Sequence, residues 1–260
     1  MNTLSYIEQK IAVAKALDFG TIFSQSIDLF KKTWLQGLIM QLFILALSIP
    51  FIIIFYIPFV VMVMAESQSG SYDPDVMSNY FAGLSILYLI FFFVGIFVLA
   101  SAQIALNAAF YRIIREIDKG NQVKTNDFFY FLKGKYLSKA FMLVLFTIVI
   151  SIPAVFLCYI PFLYLIVPLT LLTVFFAFNP ELGVTDIIKL SFKLGNKKWF
   201  LIFGLVIVAS MLASIVGFLL CGIGSLVTAA FVYHPTYFVY KEVVGFDDAD
   251  EIETIGRIEE

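Results

Sequence analysis

The side chains best suited to metal binding or redox chemistry are one histidine and two cysteines. His234 precedes Pro235 within an apolar run, and no second histidine exists to share a metal ion with it. Because a metal site needs several convergent ligands, we predict no metal site. We expect His234 to be a hydrogen-bonded packing residue, although a polar residue inside a membrane is also a functional candidate.

The two cysteines occupy equivalent positions in two similar segments. Cys158 and Cys221 each lie near a proposed turn between two apolar stretches. In an oxidising compartment they could form a disulfide. Cysteine is also among the most buried residue types, which favours two small buried thiols. The sequence leaves this pairing open.

A stripe of polar side chains runs along one apolar segment. Gln103, Asn107 and Tyr111 are spaced i, i+4 and i+8, so a helix carries them on one face. They are candidates for lining a polar pocket or path. The alternative, which we favour, is hydrogen bonding between helices, worth roughly 0.6 kcal/mol per bond on average.

The composition indicates a membrane protein. Hydrophobic residues make up 61% of the 260 residues and charged residues 14%, whereas a soluble domain has roughly 45–50% and about 25%. Core volume limits how much apolar surface a soluble fold can hide, so lipid must solvate most of the chain. We find no nucleophile–base pair and no basic domain, and therefore predict no enzyme, no cofactor and no nucleic-acid partner.

Four long uncharged runs predict six membrane spans. Two of these runs, Ala140–Asn179 and Trp199–Tyr240, hold 40 and 42 residues without a charge. Since about 20 residues cross a bilayer, each of these must be a hairpin of two spans. The predicted spans are 35–64, 79–111, 139–157, 161–178, 199–220 and 223–240. The expected fold is therefore an all-α polytopic helical bundle.

The orientation follows from the basic residues. All 17 lysines and arginines precede span one, follow span six, or lie between spans two and three or four and five, with Lys139 at the first position of span three. Positive residues mark the cytoplasmic side, so both termini are expected there. Residues 1–241 form the predicted membrane domain, and 242–260 form an acidic, solvated cytoplasmic tail.

An internal repeat divides the membrane domain into three units. Ser48–Phe59 and Ser151–Phe162 share seven of twelve residues, and Ser214–Gly224 is a weaker third copy. Each copy follows a short amphipathic segment that ends in basic and aromatic residues. The pattern predicts three cytoplasmic interfacial helices and a pseudo-threefold arrangement. The units cover about 19–111, 125–178 and 185–241.

The basic residues of the interfacial segments are candidate contacts for lipid headgroups. Each amine near an anionic surface contributes about 1 kcal/mol. A simple role in setting topology is the alternative, and the two are compatible. The candidates are Lys31, Lys32, Lys133, Lys135, Lys189, Lys193, Lys197 and Lys198.

One segment carries a family resemblance. The sequence IIKLSFKLGNKKWFLIF at Ile187–Phe203, before a span and after a proline-containing hairpin, resembles bacterial six-span membrane proteins of unknown function. That family is related to the membrane domain attached to some glycerophosphodiester phosphodiesterases. The resemblance implies a membrane domain without the phosphodiesterase domain.

These observations lead to a functional hypothesis. We expect a non-enzymatic protein of the bacterial inner membrane that acts in envelope or membrane homeostasis. Its partners would be membrane lipids or another membrane protein. The alternative is a transporter or lipid-translocating protein with a central polar cavity around Gln103 and Asn107.

Overall fold

The structure is a computed structural model that describes residues 3–68, 75, 78, 86–157, 160–220, 222 and 224–246, and the elements within them are all helices. In chain order they are α1 (Leu4–Ala12), α2 (Phe19–Phe55), α3 (Ile57–Gln68), α4 (Ile86–Asp118), a first 3-10 helix (Thr125–Leu132), α5 (Gly134–Phe156), α6 (Ile160–Phe178), α7 (Val184–Lys197), α8 (Trp199–Leu219), α9 (Gly224–Thr228), a second 3-10 helix (Ala229–Val232) and α10 (Tyr233–Val243).

Five of these helices are long and apolar enough to cross a membrane, namely α2, α4, α5, α6 and α8. Large apolar side chains remain exposed along α2, α4, α5 and α8, whereas half of the most apolar window of α6 is buried. An exposed apolar belt of this kind is compatible with a multi-pass membrane protein. The bounds of α5, α6 and α8 agree with predicted spans three to five to within a few residues.

The sixth predicted span, 223–240, is not a single apolar helix. The structure divides 224–243 into α9, the second 3-10 helix and α10. None of these pieces alone is long enough to rank with the five apolar helices. The break lies just before Pro235, which has no backbone N–H to continue the hydrogen-bond ladder to Phe231.

The first predicted interfacial helix is not a separate element. Helix α2 runs for 37 residues, through Lys31, Lys32 and Trp34, into the first apolar run. No proline occurs before Pro50, so nothing in the sequence stops the helix at the expected boundary. At 1.5 Å per residue α2 is about 55 Å long, well beyond the thickness of a bilayer.

The other two predicted interfacial segments are separate elements with different geometry. The second is the 3-10 helix Thr125–Leu132, in which the Asp127 carboxylate accepts a hydrogen bond of 2.7 Å from the backbone N–H of Lys124. The third is α7, an amphipathic α-helix that buries Ile187, Leu190 and Leu194. The expected sequence similarity of the three units therefore does not extend to identical local structure at these positions.

A glycine allows α2 to pack closely against the second 3-10 helix. A Cβ atom on Gly37 would lie 2.5 Å from the Cβ of Ala230, and Ala230 is fully buried. Carbon atoms cannot approach to that distance, so one backbone would have to move. The absence of a side chain at Gly37 thus sets the distance between the first long helix and the last helical segment.

We expect Gly37→Ala to destabilise the protein by about 1–3 kcal/mol through overpacking, although alanine is the better helix former by about 1 kcal/mol. The measurement is thermal unfolding in detergent. Gly37→Ala combined with Ala230→Gly should recover most of the loss, because it removes the opposing carbon.

Gly134→Ala is the matched control, because a Cβ at Gly134 would meet nothing within 4 Å. Equal unfolding temperatures for Gly37→Ala and Gly134→Ala would show that the close approach of α2 does not limit stability.

Candidate functional site

The most concentrated set of buried polar groups surrounds α10. Every side chain from His234 to Tyr240 is buried. We call five of its side chains the α10 polar cluster: His234, Thr236, Tyr237, Tyr240 and Lys241. Each has a hydrogen-bonding partner on another part of the chain.

His234 joins α10 to α2. Its Nε2 atom lies 2.7 Å from the hydroxyl of Thr33, and its Nδ1 atom lies 3.2 Å from the carbonyl oxygens of both Ala230 and Phe231. Carbonyl oxygens only accept, so Nδ1 must carry the proton and Nε2 must accept from Thr33. The Nδ1–H donates to the Phe231 carbonyl, which receives no backbone hydrogen bond from residue 235 because proline has no N–H.

This histidine is enclosed by aromatic rings. The rings of Phe30 and Phe110 contact the imidazole edge-to-face, with centroids 5.5 Å and 6.1 Å away. The side chain is fully buried and both of its nitrogens have partners. These contacts describe a packed, hydrogen-bonded histidine in its neutral Nδ1–H form.

Two further contacts tie α10 to α4 and to the end of α6. The hydroxyls of Tyr111 and Thr236 lie 2.7 Å apart, and both side chains are fully buried. The Asn179 amide, directly after α6, donates a hydrogen bond of 2.7 Å to the Tyr240 hydroxyl. Because each bond joins a different pair of elements, together they fix the position of α10 among its neighbours.

A carboxylate joins the C-terminal end of α4 to α10. The Oδ2 atom of Asp118 accepts from the Tyr237 hydroxyl at 2.7 Å and from the Lys241 amine at 2.6 Å. The Asp118 side chain is 19% exposed and that of Lys241 38%. Because both side chains are partly buried, the charge-assisted hydrogen bond between Lys241 and Asp118 holds the ends of α4 and α10 together.

The three residues of the predicted polar stripe on α4 have different environments. Gln103 is exposed, Asn107 is buried, and Tyr111 bonds to Thr236. The carboxamide oxygen of Asn107 has no hydrogen-bond partner within the described part of the chain. Of the three residues, Tyr111 makes the interhelical hydrogen bond that we expected, to Thr236 on α10.

Cys158 and Cys221 lie outside the described residues, so the choice between a disulfide and two buried thiols stays open. Within the described residues no group of three or more His, Cys, Asp and Glu side chains could hold a metal ion.

The lysines of α7 face a helix that the sequence analysis did not identify. Helix α1 packs against α7, with Ile7 and Ile11 almost completely buried. The Glu8 carboxylate lies 2.9 Å from the Lys189 amine and 3.4 Å from the Lys193 amine. These two predicted lipid contacts therefore have an intramolecular partner.

The segment after α1 is held in the same way, and we call residues 4–15 the N-terminal strap. The Lys197 amine donates to the Ala12 carbonyl, and the Lys198 amine donates to the Lys15 carbonyl. The Lys10 amine donates to the Val244 carbonyl at 2.7 Å. The strap therefore joins α7 to the end of α10.

The remaining predicted lipid-contact lysines lie on other elements. Lys31 pairs with Asp28 at 2.9 Å on the exposed face of α2, and Lys32 is exposed nearby. Lys135 pairs with Glu181 at 2.7 Å. The Lys133 amine lies 5.4 Å from the centre of the Tyr130 ring, a cation–π contact. Their binding to lipid stays a prediction.

The sequence analysis missed four members of the α10 polar cluster and three of its partners: the members Thr236, Tyr237, Tyr240 and Lys241, and the partners Thr33, Asp118 and Asn179. A signal was present on α10 itself, because its polar residues recur at helical spacing from His234 to Lys241. No local pattern marks the partners, which lie between 61 and 201 residues away.

Comparisons of the chain with models of protein families, with curated proteins and with solved structures give no match. The fold therefore defines the class of this protein. In its described residues it is all-helical, with five apolar helices compatible with repeated membrane crossing and a last helix hydrogen-bonded to its neighbours.

Thr33→Val should destabilise the protein by about 1–3 kcal/mol, because it leaves the His234 Nε2 atom buried without its donor. The shape of the side chain is kept, so packing changes little. The measurement is thermal unfolding of the purified protein.

Thr147→Val is the control for this change. The Thr147 hydroxyl donates to the carbonyl four residues earlier, and the Thr33 oxygen likewise lies within 3.1 Å of the carbonyl four residues before it. A loss equal to that of Thr33→Val would mean that the contact with His234 adds nothing.

The strap should detach in acid. The hydrogen bond from Lys189 lowers the pKa of Glu8 below its ordinary value of 4.5. A lowered folded-state pKa gives a stabilisation that is present above the ordinary value and lost as the pH falls through the folded-state pKa. A spin label at Val13, which is 71% exposed, should therefore be immobile at pH 7 and mobile well below pH 4.5.

Glu8→Gln should make the same label mobile at pH 7. Asp28→Asn is the control, because it removes a carboxylate whose partner Lys31 lies on α2, away from the strap. A label that stays immobile in Glu8→Gln at both pH values would show that the apolar contacts of Ile7 and Ile11 suffice.

Proposed function

We propose that this chain is an integral protein of the bacterial inner membrane that crosses it six times and acts without catalysis, through contacts with lipids or another membrane protein, in membrane homeostasis. The proposal includes the family relation indicated by Ile187–Phe203, and cytoplasmic N- and C-termini. The observation that carries it is the α10 polar cluster, whose side chains bond to neighbouring helices.

The use of these polar groups favours a packed interior over a transport path. A path needs polar groups that can exchange their partners with a solute. In α10 the hydroxyls and the imidazole are instead bonded to fixed side chains of α2, α4 and the segment after α6. Bonds of this kind stabilise one arrangement of the bundle.

A sixth crossing is supported by the continuity of the last helical segment. Residues 224–243 are helical throughout, although the winding changes from α to 3-10 and back. Twenty residues match the length that a bilayer requires. Lys241 lies in the last turn of this segment, and no basic residue lies at positions 220–223 before it.

Transport is the second candidate, and one observation favours it. The carboxamide oxygen of Asn107 is buried and has no hydrogen-bond partner in the described part of the chain. Orphaned polar atoms are uncommon in packed interiors and can mark a place for a ligand or water. If a path for solutes reached Asn107, this oxygen could accept a hydrogen bond from the transported molecule.

Single cysteines test both parts of the proposal, in a background with Cys158→Ser and Cys221→Ser. A membrane-impermeant thiol reagent should label Leu220→Cys only from outside, and Lys32→Cys and Glu242→Cys only from the cytoplasm. All three positions are exposed. Labelling of Leu220 and Glu242 from the same side would rule out the sixth crossing.

Asn107→Cys decides between a packed interior and a path. We expect no labelling from either side in the folded protein, and full labelling after denaturation as the control. Labelling of the folded protein would favour the transporter. Turnover of a lipid substrate by the purified protein would overturn the non-catalytic proposal.

A further inference from the structure

A cavity of about 260 Å³ lies between the cytoplasmic end of α4 and the first 3-10 helix. Its polar lining includes Arg112, Glu116, Gln122, Asp127 and Tyr130. The volume is below the roughly 300–1,000 Å³ of sites for drug-sized ligands, so it suits a small polar group.

The arginine of this cavity is oriented by an aromatic ring. The Arg112 guanidinium lies 3.9 Å from the centre of the Tyr130 ring. This cation–π contact holds the guanidinium over the ring, and the planar set of N–H donors of a guanidinium matches a phosphate or carboxylate. Such a fixed donor set favours binding of an anionic group.

The two carboxylates of the cavity are also held in place, each through one oxygen. The Oε2 atom of Glu116 accepts from the Asn121 amide at 2.8 Å, and the Oδ2 atom of Asp127 accepts from the backbone of Lys124 at 2.7 Å. The other oxygen of each carboxylate can then bind a cation. None of the ion pairs in the described part of the chain joins Arg112 to either carboxylate.

The charges of the cavity select the class of ligand. One guanidinium and two carboxylates repel a purely anionic group overall, and the guanidinium repels a simple cation. A zwitterion satisfies both signs within one small volume. A primary ammonium matches the carboxylates better than a quaternary one, because it can donate hydrogen bonds.

The position of the cavity indicates the source of that zwitterion. Arg112 directly follows Tyr111, the last residue of the uncharged run that begins at Tyr80. A residue at the end of a span lies at the level of lipid headgroups, where arginine and tyrosine are common. The cavity is therefore within reach of a lipid from the cytoplasmic leaflet.

We propose that this cavity binds a phosphoethanolamine headgroup, with its phosphate on Arg112 and its ammonium group between Glu116 and Asp127. The inference rests on the proposed placement of the chain in the membrane and names one class of lipid that it contacts.

The test is native mass spectrometry of the full chain in detergent, titrated with three lipids that have identical acyl chains. We expect phosphatidylethanolamine to bind more tightly than phosphatidylglycerol or phosphatidylcholine. Arg112→Gln and Glu116→Gln should each weaken phosphatidylethanolamine binding by about tenfold, the loss expected for one charge-assisted hydrogen bond.

Glu116→Gln has a second signature that unfolding would not produce. Removal of one carboxylate should strengthen binding of phosphatidylglycerol while it weakens that of phosphatidylethanolamine. Lys15→Gln is the control for loss of a cytoplasmic charge, because Lys15 is exposed and is not one of the candidate lipid contacts, and it should change neither. Equal binding of the three lipids to the wild-type chain, or equal affinities in all variants, would overturn the proposal.

Free phosphoethanolamine separates the two sources of this headgroup. Competition only at far higher concentration than the lipid supports a lipid ligand, whereas binding as tight as that of the lipid would assign the site to the soluble compound and overturn the lipid assignment. The cysteine labelling is independent of these results. Six crossings without headgroup selectivity would refute this inference alone, and selectivity without six crossings would refute the topology alone.

Discussion

The rest of the structure depends on one constraint, that a polar side chain removed from water must find its hydrogen bonds within the protein. Helix α10 brings an imidazole, a threonine hydroxyl and two phenols into the interior. Their partners lie on three other parts of the chain, namely α2, α4 and the segment after α6. Apolar packing alone would allow helices in lipid to slide and rotate, whereas these bonds give each neighbour of α10 a defined position.

The same constraint explains the irregular winding of the last segment. Proline at 235 removes one backbone donor, and the Phe231 carbonyl would be left unpaired in a dry interior. The imidazole of the preceding residue supplies the missing donor, and its second nitrogen then accepts from α2. The local defect and the long-range contact therefore depend on each other. The Gly37–Ala230 approach brings α2 close enough for the contact to form.

The sequence predicts the apolar helices well and the contacts among them poorly. Uncharged runs and their length locate α5, α6 and α8 because crossing a bilayer imposes a length and a composition on each helix separately. The pairing of two residues from distant helices leaves no comparable pattern in the sequence around either residue. Glu8 and Lys189 are 181 positions apart in the sequence, so nothing in the lysine stripe of α7 itself indicates that α1 carries its partner. The polar groups of α10 could be recognised by their spacing, but their partners could not.

The repeat shows how far sequence similarity carries into structure. Helices α3 and α6 begin at Ile57 and Ile160, which is the 103-residue offset of the two most similar copies, and proline is the second residue of both. Proline is tolerated in the first turn of a helix, so the shared Ile-Pro sequence places the same boundary in both copies. The segments before the copies have no such signal, and they form a continuous helix, a 3-10 helix and an α-helix. The repeated Ile-Pro sequence thus starts a helix in both copies. The structure of the preceding segments depends on contacts that differ from one copy to the next. The α10 polar cluster lies within the stretch predicted as the third unit, and its bonds run to α2, α4 and the segment after α6, contacts that the sequence similarity of the copies does not specify.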